Sequence, residues 1–208
     1  MNWHITDAQS LALIDREVDT YPYPPAQYEI IRRVIYATAD FEFLDLVEFS
    51  DRVLTIAAAA LASRTTILVD VPMVQVGIVP NLQKTFANPV YCGTQTITRP
   101  QKEYTEAAWG MVNLATRYPD GIFVIGHSQT ALNALIKLVD SKHIQPTLIV
   151  ATTPNFLGNQ DIKDCLKQSK IPNIIIRGRK GNAVVAVAII NALVDLAWQA
   201  YEQKAYPS

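Results

Sequence analysis

Cysteine and histidine are scarce in this chain of 208 residues, with two of the first and three of the second. Two cysteines, Cys92 and Cys165, cannot build a disulfide framework, and neither belongs to a C-x-x-C pair. Both are expected as small buried apolar residues. His4, His127 and His143 contain no i, i+4 pair, so no zinc or other metal site is expected. An excess of one charge is also missing. Eighteen Lys and Arg against 19 Asp and Glu leave a formal net charge of -1, which argues against nucleic acid as a partner. Met1-Asn2-Trp3-His4 has no basic region followed by an apolar core, so no signal peptide is expected and a cytoplasmic location follows. The most apolar segment, 183–198, is broken by Asn191 and Asp195. It falls short of the roughly 20 residues of a membrane span and reads as a core helix.

What the chain does have is apolar content. Half of its residues are hydrophobic and 18% are charged, enough for a sizeable core in one domain over 1–208. From residue 52 onward strand and helix patterns alternate. Strands are expected at 65–71, 89–93, 121–125, 146–151 and 173–176. Helices are expected at 52–63, 101–118, 130–139, 160–168 and 182–202. Short connections between them imply a mostly parallel sheet covered on both faces, a three-layer α/β/α fold. Two further helices, 6–18 with Asp7 as its cap and 27–38, form an N-terminal helical extension. In such sheets ligands bind outside the carboxyl ends of the strands. That rule marks 70–77, 126–129, 152–158 and 177–181.

Four constellations could carry chemistry. Gly126-His127-Ser128-Gln129-Thr130 follows a strand and resembles the G-x-S-x-G nucleophile elbow of serine hydrolases, with Thr130 in place of the last glycine. Arg177-Gly178-Arg179-Lys180-Gly181 sets three cations before a helix, where backbone N–H groups favour an anion. Arg32, Arg33, Tyr36 and Asp40 cluster at a helix end. Asp70 ends a strand and is followed by a loop containing Gly77.

Taken together these segments resemble the precorrin-8X methylmutase family. The likeness runs through Ser10 in the first helix, 31–40 (I-R-R-V-I-Y-A-T-A-D), 67–78 (I-L-V-D-V-P-M-V-Q-V-G-I) and 89–92 (P-V-Y-C). It continues in 124–132 (V-I-G-H-S-Q-T-A-L) and ends at 176–181 (I-R-G-R-K-G). The resemblance implies methyl migration between adjacent ring carbons of a corrin precursor, with no separate cofactor. It also implies a corrinoid or tetrapyrrole substrate and a homodimer with active sites near the subunit interface. Carried over by position, it implies a catalytic role for Tyr36. It implies substrate contacts from Ser10, Arg32, Asp70, Met73, Gly77, Gly126, Thr130, Arg177, Arg179 and Lys180. The family's catalytic histidine falls on Tyr36, one of its arginines on Glu106, and a loop glycine on Asn155. The basic residue expected after Gly77 is absent unless Lys84 replaces it. Two other readings stay open: a tetrapyrrole-binding paralogue that does not isomerise its ligand, and a serine hydrolase built on Ser128.

Overall fold

The computed structural model describes residues 4–96, 99, 101–156 and 162–205. Two helices come first, α1 (Ile5–Val18) and α2 (Pro25–Thr38), then a short α3 (Phe43–Leu46). The core alternates as β1 (Val47–Phe49), α4 (Val53–Ala62), β2 (Ile67–Val69), α5 (Pro72–Gln83) and β3 (Val90–Cys92). It continues with α6 (Glu106–Arg117), β4 (Ile122–Ile125), α7 (Gln129–Asp140), β5 (Leu148–Ala151), α8 (Ile162–Gln168), β6 (Asn173–Ile176) and α9 (Ala183–Ala205). The six strands lie in the order β1-β6-β5-β4-β2-β3. All neighbours are parallel except β1, which runs antiparallel along β6.

Alternation along each strand builds two cores. Ile67, Val69, Ile122, Val124, Val150 and Ile174 face one way and pack with residues of α2, α4, α5 and α9. Leu68, Phe123, Ile125, Ile149, Ala151 and Ile175 face the other way and pack with α6, α7 and α8. Burial on both faces is why these strands read as unbroken apolar runs. The expected three-layer α/β/α arrangement is what the chain adopts.

Several expectations need correction. The segment expected as a loop over 70–77 is largely α5, which begins at Pro72 and carries Pro80 inside it. Its β-branched residues, Gly77 and the internal Pro80 disfavour a helix locally, although Pro72 suits its first position. Burial of Val74, Ile78 and Leu82 along one stripe against α9 outweighs that preference. Strand β1, with three residues, was not expected at all. The helix expected from 101 starts at Glu106, capped by the Thr105 hydroxyl, which accepts from the Ala108 N–H. The cap of α1 is His4, whose ring nitrogen accepts from the Thr6 N–H, while Asp7 sits in the first turn. Cys92 is buried as expected, but Cys165 is exposed. The apolar stretch of α9 runs on to Gln203, so 21 residues are long and apolar enough to cross a membrane by length and composition. Within this fold 56% of that window is buried, between α2, α4 and α5.

Candidate active site

The chain path fixes where a site can form. From β2 the chain passes through α5 to β3 on one side, then returns through α6 to β4 on the other side of β2. The carboxyl ends of β2 and β4 therefore flank the switch point, where open α/β sheets bind ligands. Asp70, directly after β2, is 0% exposed. Its Oδ1 accepts from the Gly126 N–H at 2.9 Å, and its Oδ2 from the N–H groups of His127 at 2.8 Å and Ser128 at 2.6 Å. One buried carboxylate thus fixes the whole β4–α7 loop through charge-assisted bonds. Gly126 is required in that loop, because a Cβ there would lie 2.7 Å from Val74 Cγ2 and 3.0 Å from Ala183 Cα.

Above the loop opens an apolar crevice of about 550 Å³, lined by Val71, Pro72, Met73, His127, Asn182 and Val184. Met73 is 63% exposed and presents apolar surface to the crevice. A larger cleft of about 860 Å³ lies along the β1 edge and is lined by Glu48, Lys167 and Arg177. Lys167 pairs with Glu48 there at 2.9 Å, and the cleft does not reach the switch point.

Next to the crevice runs a row of hydroxyls. Ser128 Oγ caps α7 by accepting from the Ala131 N–H at 3.1 Å and meets Thr130 Oγ1 at 2.9 Å. Thr130 Oγ1 lies 2.6 Å from Thr105 Oγ1. His143 bonds Ser141 at the far end of α7. Among the described residues no histidine or carboxylate side chain bonds the Ser128 hydroxyl, so nothing supports a serine nucleophile.

The basic turn disperses its charges instead of massing them. Gly178 has φ +72°, and Gly181 has φ +120° with room for no Cβ, since one would sit 2.3 Å from the Thr152 carbonyl oxygen. Buried Lys163 donates to the carbonyl oxygens of Ile176 at 2.7 Å and Gly178 at 3.3 Å and holds the turn from below. Arg177 turns toward the β1 edge, donating to the Asp45 carbonyl at 3.3 Å and lying 3.9 Å from Glu48. Lys180 pairs with Asp40 at 2.6 Å and Glu42 at 2.9 Å. Arg179 is exposed and its side chain has no partner among the described residues. The expected trio of anion-binding cations is thus two residues in internal pairs and one facing water.

The Lys180 ammonium holds the Asp40 carboxyl below the usual carboxylate range. A carboxyl with a lowered folded pKa lends stability above its unfolded pKa and loses it as pH falls through the folded value. The stability difference between the wild type and Asp40→Asn should therefore be full at pH 7 and shrink progressively as pH falls below about 4, read by chemical denaturation across that range.

Tyr36 sits on α2. Its hydroxyl donates to Asp7 Oδ1 at 2.8 Å, across from α2 to α1. That bond, and secondarily desolvation, pushes the phenol above its ordinary pKa. Arg32 bonds Asp15 at 2.8 Å and pairs with Glu29, while Tyr28 donates to the same Asp15 at 2.8 Å. Ser10 donates to the Thr6 carbonyl inside α1. Ser10, Arg32 and Tyr36 therefore form an α1–α2 junction, and no hydrogen bond among the described residues links them to the crevice. Gly77 belongs to a third place, the α5–α9 contact, where a Cβ would come within 2.5 Å of Val187 Cγ2. Gly77→Ala should cost about 1–2 kcal/mol and lower the melting temperature by a few degrees in calorimetry, through overpacking.

The remaining departures also find places. Glu106 opens α6, where the helix end favours a carboxylate. Buried Asn155 accepts from Gln129 Nε2 at 2.9 Å. Lys84 caps the end of α5 away from the crevice, so it does not replace the expected basic residue. Leu157 and Gly158 lie outside the described residues. Residue-level reading passed over Asn182, Val184 and the ring of His127, which line the crevice. The only signal for them was position, directly after a strand or at the start of the helix that follows.

Comparison with known proteins agrees with this geometry. The family model described as precorrin-8X methylmutase matches residues 6–196. The cobalt-precorrin-8 methylmutase of Synechocystis sp. is 35% identical over 92% of this chain and 94% of its own. That of Methanocaldococcus jannaschii is 36% identical over 81% of this chain and 79% of its own. The crystal structure of precorrin-8x methyl mutase from Thermus thermophilus superimposes with a TM-score of 0.84 at 27% identity, covering 95% of this chain and 99% of that one. A match over nearly the full length, in sequence and in fold, means that this chain belongs to the precorrin-8X methylmutase family.

Proposed function

We propose that the protein is an isomerase that moves a methyl group between adjacent ring carbons of a precorrin-8 macrocycle in cobalamin biosynthesis. The observation that carries this reading is the family match over 6–196 together with an apolar crevice at the switch point, the place where this fold binds ligands. The reaction is an isomerisation: one carbon–carbon bond breaks, another forms, and no oxidant or separate cofactor is called for. Met73 and Val184 offer the macrocycle apolar contact, and Arg179 offers one of its carboxylates a cation that is not already paired. Relatives named for both the cobalt-containing and the metal-free substrate support testing both.

The test is an absorbance time course of purified protein with precorrin-8 and with its cobalt form. Conversion to hydrogenobyrinate or cobyrinate is expected. Binding with an unchanged spectrum would replace this reading by that of a tetrapyrrole-binding paralogue. Arg179→Ala should weaken binding several-fold at low salt and less at high salt, because screening already reduces the attraction. Equal affinity for both proteins in low-salt titrations would remove Arg179 from the site.

We further infer a homodimer, in line with the family resemblance. Ile5 and Leu13 on α1, at 69% and 55% exposure, are apolar surface of the kind a subunit contact covers. Light scattering of the purified protein decides this point. The unpaired cysteines fit a reducing compartment such as the cytoplasm.

A further inference from the structure

Tyr36, the residue that the family resemblance marks as catalytic, is poorly placed as an acid. A phenol has one proton, and the Tyr36 hydroxyl gives its own to Asp7. The same bond raises the phenol's pKa, making the proton harder to release. Among the described residues no hydrogen bond joins Tyr36 to the crevice.

The crevice contains a different titratable group. His127 lines it together with Val71, Pro72, Met73, Asn182 and Val184, all of which are uncharged. Its backbone is fixed, because Asp70 accepts its N–H at 2.8 Å and also holds the residues on either side. Its ring is therefore carried on a rigid loop. Asp70 holds the loop from below, and the basic turn directly precedes Asn182 of the lining. There Lys180 is turned away to Asp40 and Glu42, and Arg179 faces water. The G-H-S-Q-T motif that resembled a nucleophile elbow thus presents its histidine to the crevice, while its serine caps a helix.

We propose that His127 is the proton donor of this site. This rests on the methyl-migration reading above. In the step, the imidazolium N–H bond breaks and its proton adds to an electron-rich position of the macrocycle. The methyl group then leaves one ring carbon and bonds to its neighbour with the same electron pair. The proton returns to the imidazole, so the overall change is an isomerisation with no net gain or loss. Histidine suits this exchange because its side chain changes charge near neutral pH.

The test compares wild type, His127→Asn and His127→Ala, assayed with metal-free precorrin-8. Thermal unfolding checks that the exposed substitutions leave the fold intact. His127→Asn should lower kcat by about 10²-fold or more, with KM within about threefold of wild type. The wild-type rate should have an alkaline limb on which it falls as pH rises, since the protonated form is the active one, and His127→Asn should lack that limb. Added imidazole should restore part of the rate of His127→Ala. A kcat for His127→Asn within about threefold of wild type would overturn the proposal. So would a lower kcat with an unchanged pH limb and no imidazole rescue, which would mean that the ring only shapes the crevice. A wild-type protein that binds precorrin-8 without converting it would overturn the methyl-migration reading, and this proposal with it.

Discussion

Asp70→Ala should lower the unfolding free energy by about 3–5 kcal/mol and abolish turnover. Asp70 is fully buried and accepts three backbone N–H groups from the loop that carries His127. A hydrogen bond to a charged group contributes about 1.5–3 kcal/mol, and the three share one carboxylate, so the total is less than their sum. Alanine leaves three donors without their acceptor, that of Gly126 in a buried position. For a chain of this size about 2–4 °C of melting temperature is lost per kcal/mol, so a fall of about 10 °C is expected by calorimetry. Asp70→Asn should fall between the two, because an amide supplies one acceptor oxygen and an NH₂ that faces the donors. The catalytic loss should exceed the stability loss under conditions where the variant is still folded, since the loop positions the crevice. An Asp70→Ala protein melting within 2 °C of wild type would show that the loop keeps its shape without the carboxylate.

Asp195→Leu should cost a similar amount, about 3–5 kcal/mol, for a different reason. Asp195 on α9 pairs with Arg33 on α2 in a buried bridge and accepts from Asn81 Nδ2 on α5 at 3.0 Å. It ties three helices of one layer together. Removing Asp195 takes away the Arg33 Nη1 partner in a buried setting and leaves Arg33 its ion pair with Glu29, which is the source of the penalty. Replacing both, Arg33→Met with Asp195→Leu, should recover much of the loss, because apolar side chains of similar size fill such sites well. Glu29, which accepts from Arg33 Nε at 2.7 Å, limits that recovery. Urea unfolding of the two single variants and the double variant forms a cycle that measures the coupling. A double variant less stable than the sum of the two single losses would contradict this account.

The sheet and most of its helices were legible because their signals are local. Five of the six strands are short apolar runs bounded by turns, and the outer helices have one apolar stripe. Helix α5 was hidden because its local preferences point the wrong way. Valine, glycine and Pro80 argue against a helix, and burial of Val74, Ile78 and Leu82 beside α9 makes one. Strand β1 was hidden because three residues carry no periodicity, and it exists only by pairing with β6. At the site, the likeness of whole segments identified the family, but not what each side chain does. Lys180, Arg177 and Arg32 read equally well as ligands for an anion until their internal partners are seen.

The amino-acid sequence alone determined the layered α/β architecture, the parallel character of the sheet and the family, since each is written in local pattern or in the order of segments. Only the tertiary structure decided which partner each side chain takes. It bonded Tyr36 to Asp7 and opened a crevice at the ends of β2 and β4. It turned Asp70 into the anchor of a loop and brought His127 to the crevice. The physical reason is that charge pairing and close packing join residues far apart in the chain, and no local pattern records which partner each one finds.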